Sequence, residues 1–156
     1  MTAAFPPVLE LLPHGPELML LDQVLAKDAD GIAVAVAIRP DSLFMVAGHG
    51  VPAHAGLEYM AQACGAFAGL EARARGEPVR IAFLLGTRRY RAARPWFAIG
   101  ERLEVAARLL LRDGPMAVFE CRIDAGGAEL ATAQLTVYQP DAQAETGPET
   151  GPEAAA

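Results

Sequence analysis

The sequence has few cysteines and no long apolar run, and each shortage excludes a class of protein. Its two cysteines, Cys64 and Cys121, lie 57 positions apart without a CxxC pattern. They predict neither a disulfide framework nor a zinc cluster, and we expect two buried thiols. No apolar run reaches the roughly 18 residues of a membrane-spanning helix, and the N-terminus lacks the basic and apolar regions of a signal peptide. We therefore expect a soluble, cytoplasmic protein without a membrane span.

Charged residues are also scarce, at 21% of the 156 residues, whereas 53% are hydrophobic. This composition excludes wholesale disorder and suffices for one packed core. The net charge of -6 argues against a nucleic-acid binder. Residues 141–156 are acidic, repeat the tetrapeptide TGPE and contain no aromatic or branched aliphatic residue. We predict a single domain over residues 1–140, followed by a disordered acidic tail rich in proline and glycine.

Hydrophobic periodicity predicts two strands, then one long helix. The stretches LMLLDQVLAKD and GIAVAVAIRP read as strands of a hairpin that turns at residues 28–31, where aspartates and a glycine provide turn chemistry. After Pro52, apolar residues recur at intervals of three and four, which predicts an amphipathic helix from about residue 53 to Arg75, ending at Gly76. The helix is rich in alanine and glycine, so a sheet can approach it closely, and we expect it to be buried.

The remainder of the chain alternates as strands do, in VRIAFLLG, TRRYRAA and a three-stranded meander. In the first meander strand, the alternation places residues 103, 105, 107, 109 and 111 on one inward face. We expect an α+β fold in which an antiparallel sheet of five or six strands wraps around the central helix. One helix covers only one face of a sheet, so we also expect a dimer, formed through strand edges and the loop that leads into the helix.

The start of the helix concentrates groups suited to acid-base chemistry. His49 lies in the loop before it, and His54, Glu58 and Gln62 follow at four-residue spacing, which predicts one shared helix face. An imidazole and a carboxyl group can exchange protons near neutral pH. Desolvation among apolar neighbours favours a neutral carboxyl group, which would suit Glu58 to donate a proton.

This cluster has two other interpretations, a surface pair and a metal site. His54 and Glu58 could form an ordinary i,i+4 pair on an exposed helix face. The cluster also contains metal-ligand types, but the spacing matches no zinc signature, and we expect no metal.

A basic run, TRRYRAAR, stands out in an acidic chain. In a regular strand Arg89 and Arg91 would share one face and Arg88 would lie on the other. The run is either a charged edge strand protected from aggregation or an anchor for a phosphate or an acidic partner protein. Nucleic acid is a weaker third option, because Tyr90 is the one aromatic residue in the run.

Three blocks resemble the 3-hydroxyacyl-ACP dehydratases of the hotdog superfamily. LLPHGPELMLLDQV is similar to their L-x-P-H-R-x-P-x-L-L-x-D-R-V block, GLEYMAQA to L-E-A-M-A-Q-A, and FAIGERLEV to V-x-P-G-D-x-L. More narrowly, RPDSLF, GVPAHAGLEYMAQA and FLLGTRRYR resemble dehydratase-like hotdog proteins of aryl-polyene and fatty-acid-like biosynthetic clusters.

The resemblance implies a hotdog fold, a homodimer or heterodimer with another hotdog subunit, and acyl groups carried on the phosphopantetheine of acyl carrier protein. The expected reaction removes water from a 3-hydroxyacyl thioester to give the trans-2-enoyl product, without metal or redox cofactor. The resemblance also implies that Glu58 protonates or holds the departing hydroxyl and that His49 removes the α-proton. In that family the histidine usually comes from the other subunit. His14 has no catalytic role in that family, and we interpret it as structural.

Further residues are expected to contact the substrate. Backbone N–H groups from Ala53 to Gly56 would bind the thioester carbonyl at the helix start, and Gln62, Arg88 and Arg89 are the other predicted contacts. The loop GHGVPAHAG is shorter than the family's G-H-F-P-x-x-P-x-x-P-G. This shortening leaves open a weakly active or non-catalytic partner of a second dehydratase. The resemblance to the superfamily leaves a further alternative open, an acyl thioesterase.

Overall fold

The protein is one long helix wrapped by an antiparallel sheet, as expected for a hotdog fold. The computed structural model describes residues 4–140, so the predicted tail at 141–156 lies outside the described residues. Helix α1 spans Gly56–Ala74 and is preceded by a 3-10 turn at Ala53–Ala55. The described part of the chain has eight strands, β1 (Gln23–Lys27), β2 (Gly31–Ala37), β3 (Val51–Pro52), β4 (Phe83–Ala92), β5 (Trp96–Phe97), β6 (Arg102–Asp113), β7 (Met116–Ala125) and β8 (Ala128–Tyr138).

Six strands form the main sheet in the order β1-β2-β6-β7-β8-β4, and every pair is antiparallel. Strands β3 and β5 form a separate two-stranded pair beside the helix start. The predicted hairpin at residues 28–31 and the meander of β6, β7 and β8 are confirmed. At Gly126 and Gly127 both φ angles are positive, which lets a two-residue turn join β7 to β8.

The helix is buried against the concave side of the sheet, as the sequence predicts. Met60, Ala63 and Phe67 are fully buried, and Phe67 packs edge-on against Phe119 of β7 with ring centroids 5.6 Å apart. The helix ends where predicted, because Gly76 adopts a φ of 68° that residues with side chains rarely adopt. Among the described residues, no helix is long and apolar enough to cross a membrane.

Both cysteines are buried thiols, as expected. The two sulfur atoms lie 3.8 Å apart, between α1 and β7, without a disulfide. Burial, followed by the contact with Cys121, raises the pKa of the Cys64 thiol well above its usual range. Both side chains therefore serve as small apolar groups in the core.

A bulge in β6 makes one prediction about the inward face of this strand wrong, at residue 111. The pairing of β6 with β7 shifts between Leu109 and Leu111, which leaves Leu110 as an extra residue. Because one extra residue reverses the alternation, Leu111 pairs with Val118 and is 60% exposed, rather than following Leu109 inward. The buried positions predicted before the bulge, at Leu103, Val105 and Ala107, are confirmed.

Strand β4 is continuous where the sequence suggested two segments, and it contains a bulge that rearranges the arginines. The pairing with β8 shifts between Arg88, opposite Gln134, and Arg91, opposite Thr132. Arg88 and Arg91 therefore share the outer face of the sheet. The prediction that Arg89 and Arg91 lie on the same face of the strand is wrong. The extra backbone is accommodated at Arg89, whose φ of 55° lies in the left-handed region.

We expect Gly69→Ala to destabilise the protein, although alanine is the better helix former. A Cβ atom at Gly69 would overlap the carbonyl oxygen of Leu11 and lie 2.9 Å from its carbonyl carbon. Helix propensity favours alanine by about 1 kcal/mol, whereas overpacking against backbone costs about 1–3 kcal/mol. The melting temperature should fall by roughly 2–6 °C in a thermal unfolding scan.

Gly65→Ala is the matched comparison in the same helix. A Cβ atom there meets the end of the Leu12 side chain, which can rotate away, so the loss of stability should be smaller. Equal or greater stability of Gly69→Ala relative to the wild-type protein would contradict the close packing of the N-terminal segment on the helix.

Candidate active site

A groove of about 370 Å³ runs along one face of α1. Its helix side consists of Glu58, Gln62 and the small residues Ala61, Gly65 and Ala68. The opposite wall comes from the start of β4 and the turn between β6 and β7, and Leu12, Pro13 and His14 of the N-terminal segment also line the groove. This volume lies within the roughly 300–1,000 Å³ typical of ligand sites, and the small side chains leave room for an extended apolar ligand.

The end of the groove at the helix start carries Glu58, which is half-buried and held by Gln62. The Gln62 amide nitrogen donates to Oε1 of Glu58 at 3.0 Å and to the carbonyl of Leu18 at 2.8 Å. Its amide oxygen accepts from the N–H of Leu20 at 3.0 Å. Gln62 is only 2% exposed, so these bonds fix the carboxyl group of Glu58 against the segment at residues 18–20.

The opposite end of the groove is charged. Arg112 pairs with Glu71 at 2.6 Å, and Arg75 and Arg80 lie nearby in the lining. Glu58 and Arg75 are separated by about 25 Å along the helix, at 1.5 Å per residue. The groove therefore has a carboxyl group near one end and arginines near the other, with an apolar middle of Ala68, Phe119 and Val137.

The two candidate bases lie outside this groove. His49 is exposed, in the loop before β3, and its ring stacks on Trp96 with centroids 4.7 Å apart. His54 is exposed in the 3-10 turn before α1, so the predicted helix face shared by three side chains contains only Glu58 and Gln62. Among residues 4–140 there is no ion pair between His54 and Glu58, which removes the simple i,i+4 interpretation.

The backbone donors predicted at Ala53 and Gly56 have partners within the chain. The N–H of Ala53 donates to the carbonyl of Pro95 at 2.9 Å, and that of Gly56 donates to the carbonyls of Ala53 and His54. Tyr90 of β4 also donates its hydroxyl to the Ala53 carbonyl, and burial raises the pKa of Tyr90 to about 12. These two backbone groups are thus engaged in fixing the helix start to β4 and β5, and they are not free to bind a carbonyl.

The predicted contacts Arg88 and Arg89 lie on the exposed part of β4, outside the groove lining. Two groups in or beside the site escaped sequence reasoning. Tyr90 carries no signal in the sequence because a bulge turns it inward, and His14, which the sequence indicates as structural, lines the groove. No three His, Cys, Asp or Glu side chains in the described part of the chain are grouped so that they could hold a metal ion.

A long helix wrapped by one antiparallel sheet, with a carboxyl group facing a groove along that helix, defines a hotdog-fold protein. Within that class, the chain belongs to the ApeP-like family of ApeP dehydratases, whose family model matches residues 6–147. It is similar to a chain of the dehydratase heterocomplex ApeI:P from Xenorhabdus doucetiae, with 31% identity and a TM-score of 0.83. That match covers 89% of this chain and 94% of the other.

More distant solved structures share the fold alone. A hypothetical thioesterase with coenzyme A from Streptococcus pneumoniae matches with 9% identity and a TM-score of 0.61, covering 76% of this chain and 84% of that one. The PaaI protein of E. coli matches with 12% identity and a TM-score of 0.56, covering 74% and 80%. No curated protein sequence matches the chain significantly.

Proposed function

We propose that this chain is one subunit of a hotdog dehydratase that removes water from 3-hydroxyacyl thioesters carried by acyl carrier protein. The observation that carries the proposal is the carboxyl group of Glu58, fixed by the buried Gln62 at one end of a groove with an apolar middle. Membership of a dehydratase family supports the reaction, and the shape of the groove supports an acyl substrate.

In the proposed step, the carboxyl group of Glu58 gives its proton to the 3-hydroxyl group as the C3–O bond breaks. A base removes the α-proton, the electrons of that C–H bond form the C2–C3 double bond, and water leaves. The groove holds the acyl chain so that the reacting carbon atoms lie beside Glu58, and its apolar walls exclude competing water.

A second hotdog subunit is part of this proposal, because the two candidate bases, His49 and His54, lie outside the groove of Glu58. Among the strands of residues 4–140, β4 pairs with β8 alone, so its other edge is available for a partner. The first part of β4 is apolar, since Phe83, Leu84 and Leu85 are each between 43% and 55% exposed. The related structure from X. doucetiae is a heterocomplex, which supports a heterodimer for this chain. The proposal adds that a histidine of one subunit lies at the groove of the other.

The chain should be purified alone and together with its genomic neighbours, and each sample given a 3-hydroxyacyl carrier protein. Mass spectrometry should show loss of water with the acyl group still attached, and faster turnover in the mixture. Release of the free acid instead would establish a thioesterase. Equal turnover by the chain alone would contradict the need for a partner.

A basic patch, defined by Arg88, Arg89 and Arg91, is proposed to dock the acidic carrier protein. All three side chains are exposed, and none has an ion pair within residues 4–140, whereas the nearby Arg94 pairs with Glu101 at 2.6 Å. The patch lies where β4 passes the helix start, since Tyr90 bonds to Ala53 there. A carrier protein bound to it could therefore deliver its acyl arm near Glu58.

Replacing Arg88 and Arg91 together by glutamate should raise KM for the carrier-bound substrate about tenfold at low salt, because like charges now face each other. The same acyl group on pantetheine alone should react unchanged. Arg102→Glu, at an exposed position of β6, is the matched control. Equal KM values for the double variant and this control would exclude the patch as the docking site.

Gln62→Met should lower both stability and kcat. Methionine keeps the length of the side chain but leaves the N–H of Leu20 and the carbonyl of Leu18 without their partner, which we expect to cost about 2–4 kcal/mol. Glu58 also loses its positioning bond, and kcat should fall about tenfold with KM nearly constant. Chemical denaturation and steady-state kinetics measure the two effects.

Gln23→Met, at an exposed position of β1, is the control and should change neither quantity. If Gln62→Met retains the wild-type kcat, the hydrogen bond to Glu58 does not serve the reaction.

A further inference from the structure

The imidazole of His49 is stacked on the indole of Trp96, the single tryptophan of the sequence. The ring centroids lie 4.7 Å apart and the ring planes are inclined by 19°, so the two rings meet face to face. Stacking is a favourable arrangement of two aromatic side chains, and it limits the rotation of both. Neither residue lines the groove of Glu58, so the stack is separate from the contacts that shape this groove.

The backbone that carries Trp96 is held on both sides. Trp96 pairs with Pro52 between β5 and β3, and the next residue, Phe97, is 2% exposed in the core. On the preceding side, the carbonyl of Pro95 accepts from the N–H of Ala53 at 2.9 Å. The indole is half-buried. It therefore forms a fixed surface beside the helix start.

The loop that carries His49 is shaped to reach this surface. The neighbouring glycines have φ angles of 81° at Gly48 and 119° at Gly50, which residues with side chains rarely adopt. A Cβ atom at Gly50 would overlap the carbonyl oxygen of Phe97, so the loop approaches β5 closely because this position is glycine. The N–H groups of His49 and Gly50 both donate to the carbonyl of Val46 at 3.0 Å. This backbone brings the imidazole over Trp96 in a defined geometry.

Hydrogen bonds do not orient the imidazole of His49. Among residues 4–140, this side chain forms neither a hydrogen bond nor an ion pair, and it is exposed. An exposed side chain changes rotamer freely unless a neighbour holds it. A general base needs a fixed orientation and a free ring nitrogen. Stacking meets both needs, because it uses the face of the imidazole and leaves the two nitrogens at its edge unoccupied.

We propose that Trp96 is a positioning residue for His49. It holds the imidazole by its face, so that a nitrogen at the ring edge meets the α-proton of an acyl group in the groove of the other subunit. This inference rests on the proposed function, with His49 of one copy acting as the base in a dimer. A catalytic base is usually oriented by a hydrogen bond from a third group, and here the stack takes that place.

The kinetic test compares variants of the full chain in a dimer of two copies, with a 3-hydroxyacyl carrier protein as substrate. Trp96→Leu should lower kcat about tenfold with KM nearly constant, because a rotating base spends less time in the productive orientation. Trp96→Phe keeps an aromatic face and should stay within about threefold of the wild-type kcat.

A double-mutant cycle separates positioning from a structural role. In the His49→Ala background, Trp96→Leu should cause no further loss of kcat, because Trp96 acts through the missing imidazole. A purely structural tryptophan would lower kcat by the same factor in both backgrounds. The melting temperature of each variant shows whether the protein is folded under the assay conditions.

Proton NMR of the histidine rings tests the stack without turnover. Protons that lie over the face of an indole resonate upfield of their usual position, so the ring protons of His49 should be displaced upfield in the wild-type protein. The displacement should disappear in Trp96→Leu and persist in part in Trp96→Phe. The signal missing from His49→Ala assigns the resonance, and His14, which lines the groove, is the internal reference.

Four results would each overturn the role of Trp96. They are full turnover by Trp96→Leu, equal losses in the two backgrounds, equal losses in Trp96→Leu and Trp96→Phe, and His49 ring protons without an upfield displacement in the wild-type protein. A displaced His49 resonance in a wild-type dimer that carries out no dehydration would contradict the proposed function alone.

Discussion

Glu58→Gln should reduce turnover of a 3-hydroxyacyl carrier protein at least about a hundredfold, within the range assigned to one positioned acid. The glutamine oxygen can still accept the hydrogen bond from Gln62, so the local structure and the groove are retained. What is lost is the transferable proton. Stability should therefore change by less than about 1 kcal/mol while kcat falls, as measured by denaturation and by mass spectrometry of the product.

Glu77→Gln is the matched control for this substitution. Glu77 is exposed beyond the end of α1, outside the groove lining, and its pairing with Arg75 at 3.2 Å lies at the surface. Turnover of this variant should equal that of the wild-type protein. Full activity of Glu58→Gln in the assembled enzyme would refute the dehydratase assignment of this site and favour a carrier-binding or scaffold role.

In a dimer of two copies of this chain, His49→Ala should cost a similar factor, roughly a hundredfold or more. His49 lies in an exposed loop outside the groove of its own chain, so its imidazole is available to remove an α-proton at a neighbouring subunit. The stack on Trp96 is lost with the ring, so the melting temperature must be measured in parallel. Loss of rate at unchanged melting temperature assigns His49 to the reaction.

His54→Ala provides the comparison from the same loop region. Its side chain is exposed and lacks an ion pair with Glu58 in the described part of the chain, so stability should change by well under 1 kcal/mol and the rate should persist. If His54→Ala is inactive while His49→Ala is active, the base lies at the helix start. If both variants are fully active, the partner subunit supplies the base.

Local patterns determined much of the fold. The period of three and four in Leu57, Met60 and Cys64 specifies a helix with one buried face, and Gly76 ends it because glycine accepts positive φ. Alternation in β7 placed Phe119, Cys121 and Ile123 inward as predicted, because neighbouring side chains point to opposite faces of a regular strand. Because these features depend on residues that are close together in the chain, they can be predicted from the sequence.

Bulges escaped this reasoning because pairing with another strand creates them. The extra residue in β6 turned Leu111 outward, and the bulge in β4 put Arg88 and Arg91 on one face with Tyr90 on the other. Neither the spacing nor the types of the residues indicate where the register between two paired strands shifts. The four-residue spacing of Glu58 and Gln62 predicted that these side chains are neighbours on the helix. It did not predict the buried hydrogen bonds from Gln62 to residues 18 and 20.

By itself, the sequence determined a single long helix, an antiparallel sheet and a carboxyl group at the start of that helix, since each is specified by local period, turn residues or residue type. Only the tertiary structure decided that His49 and His54 lie outside the groove of Glu58 and that the N–H groups of Ala53 and Gly56 already have partners. It also decided that Nδ1 of His14 is buried without a partner among residues 4–140. These facts depend on contacts between segments distant in the chain. Hydrogen bonding and burial are properties of such contacts, and no single segment encodes them.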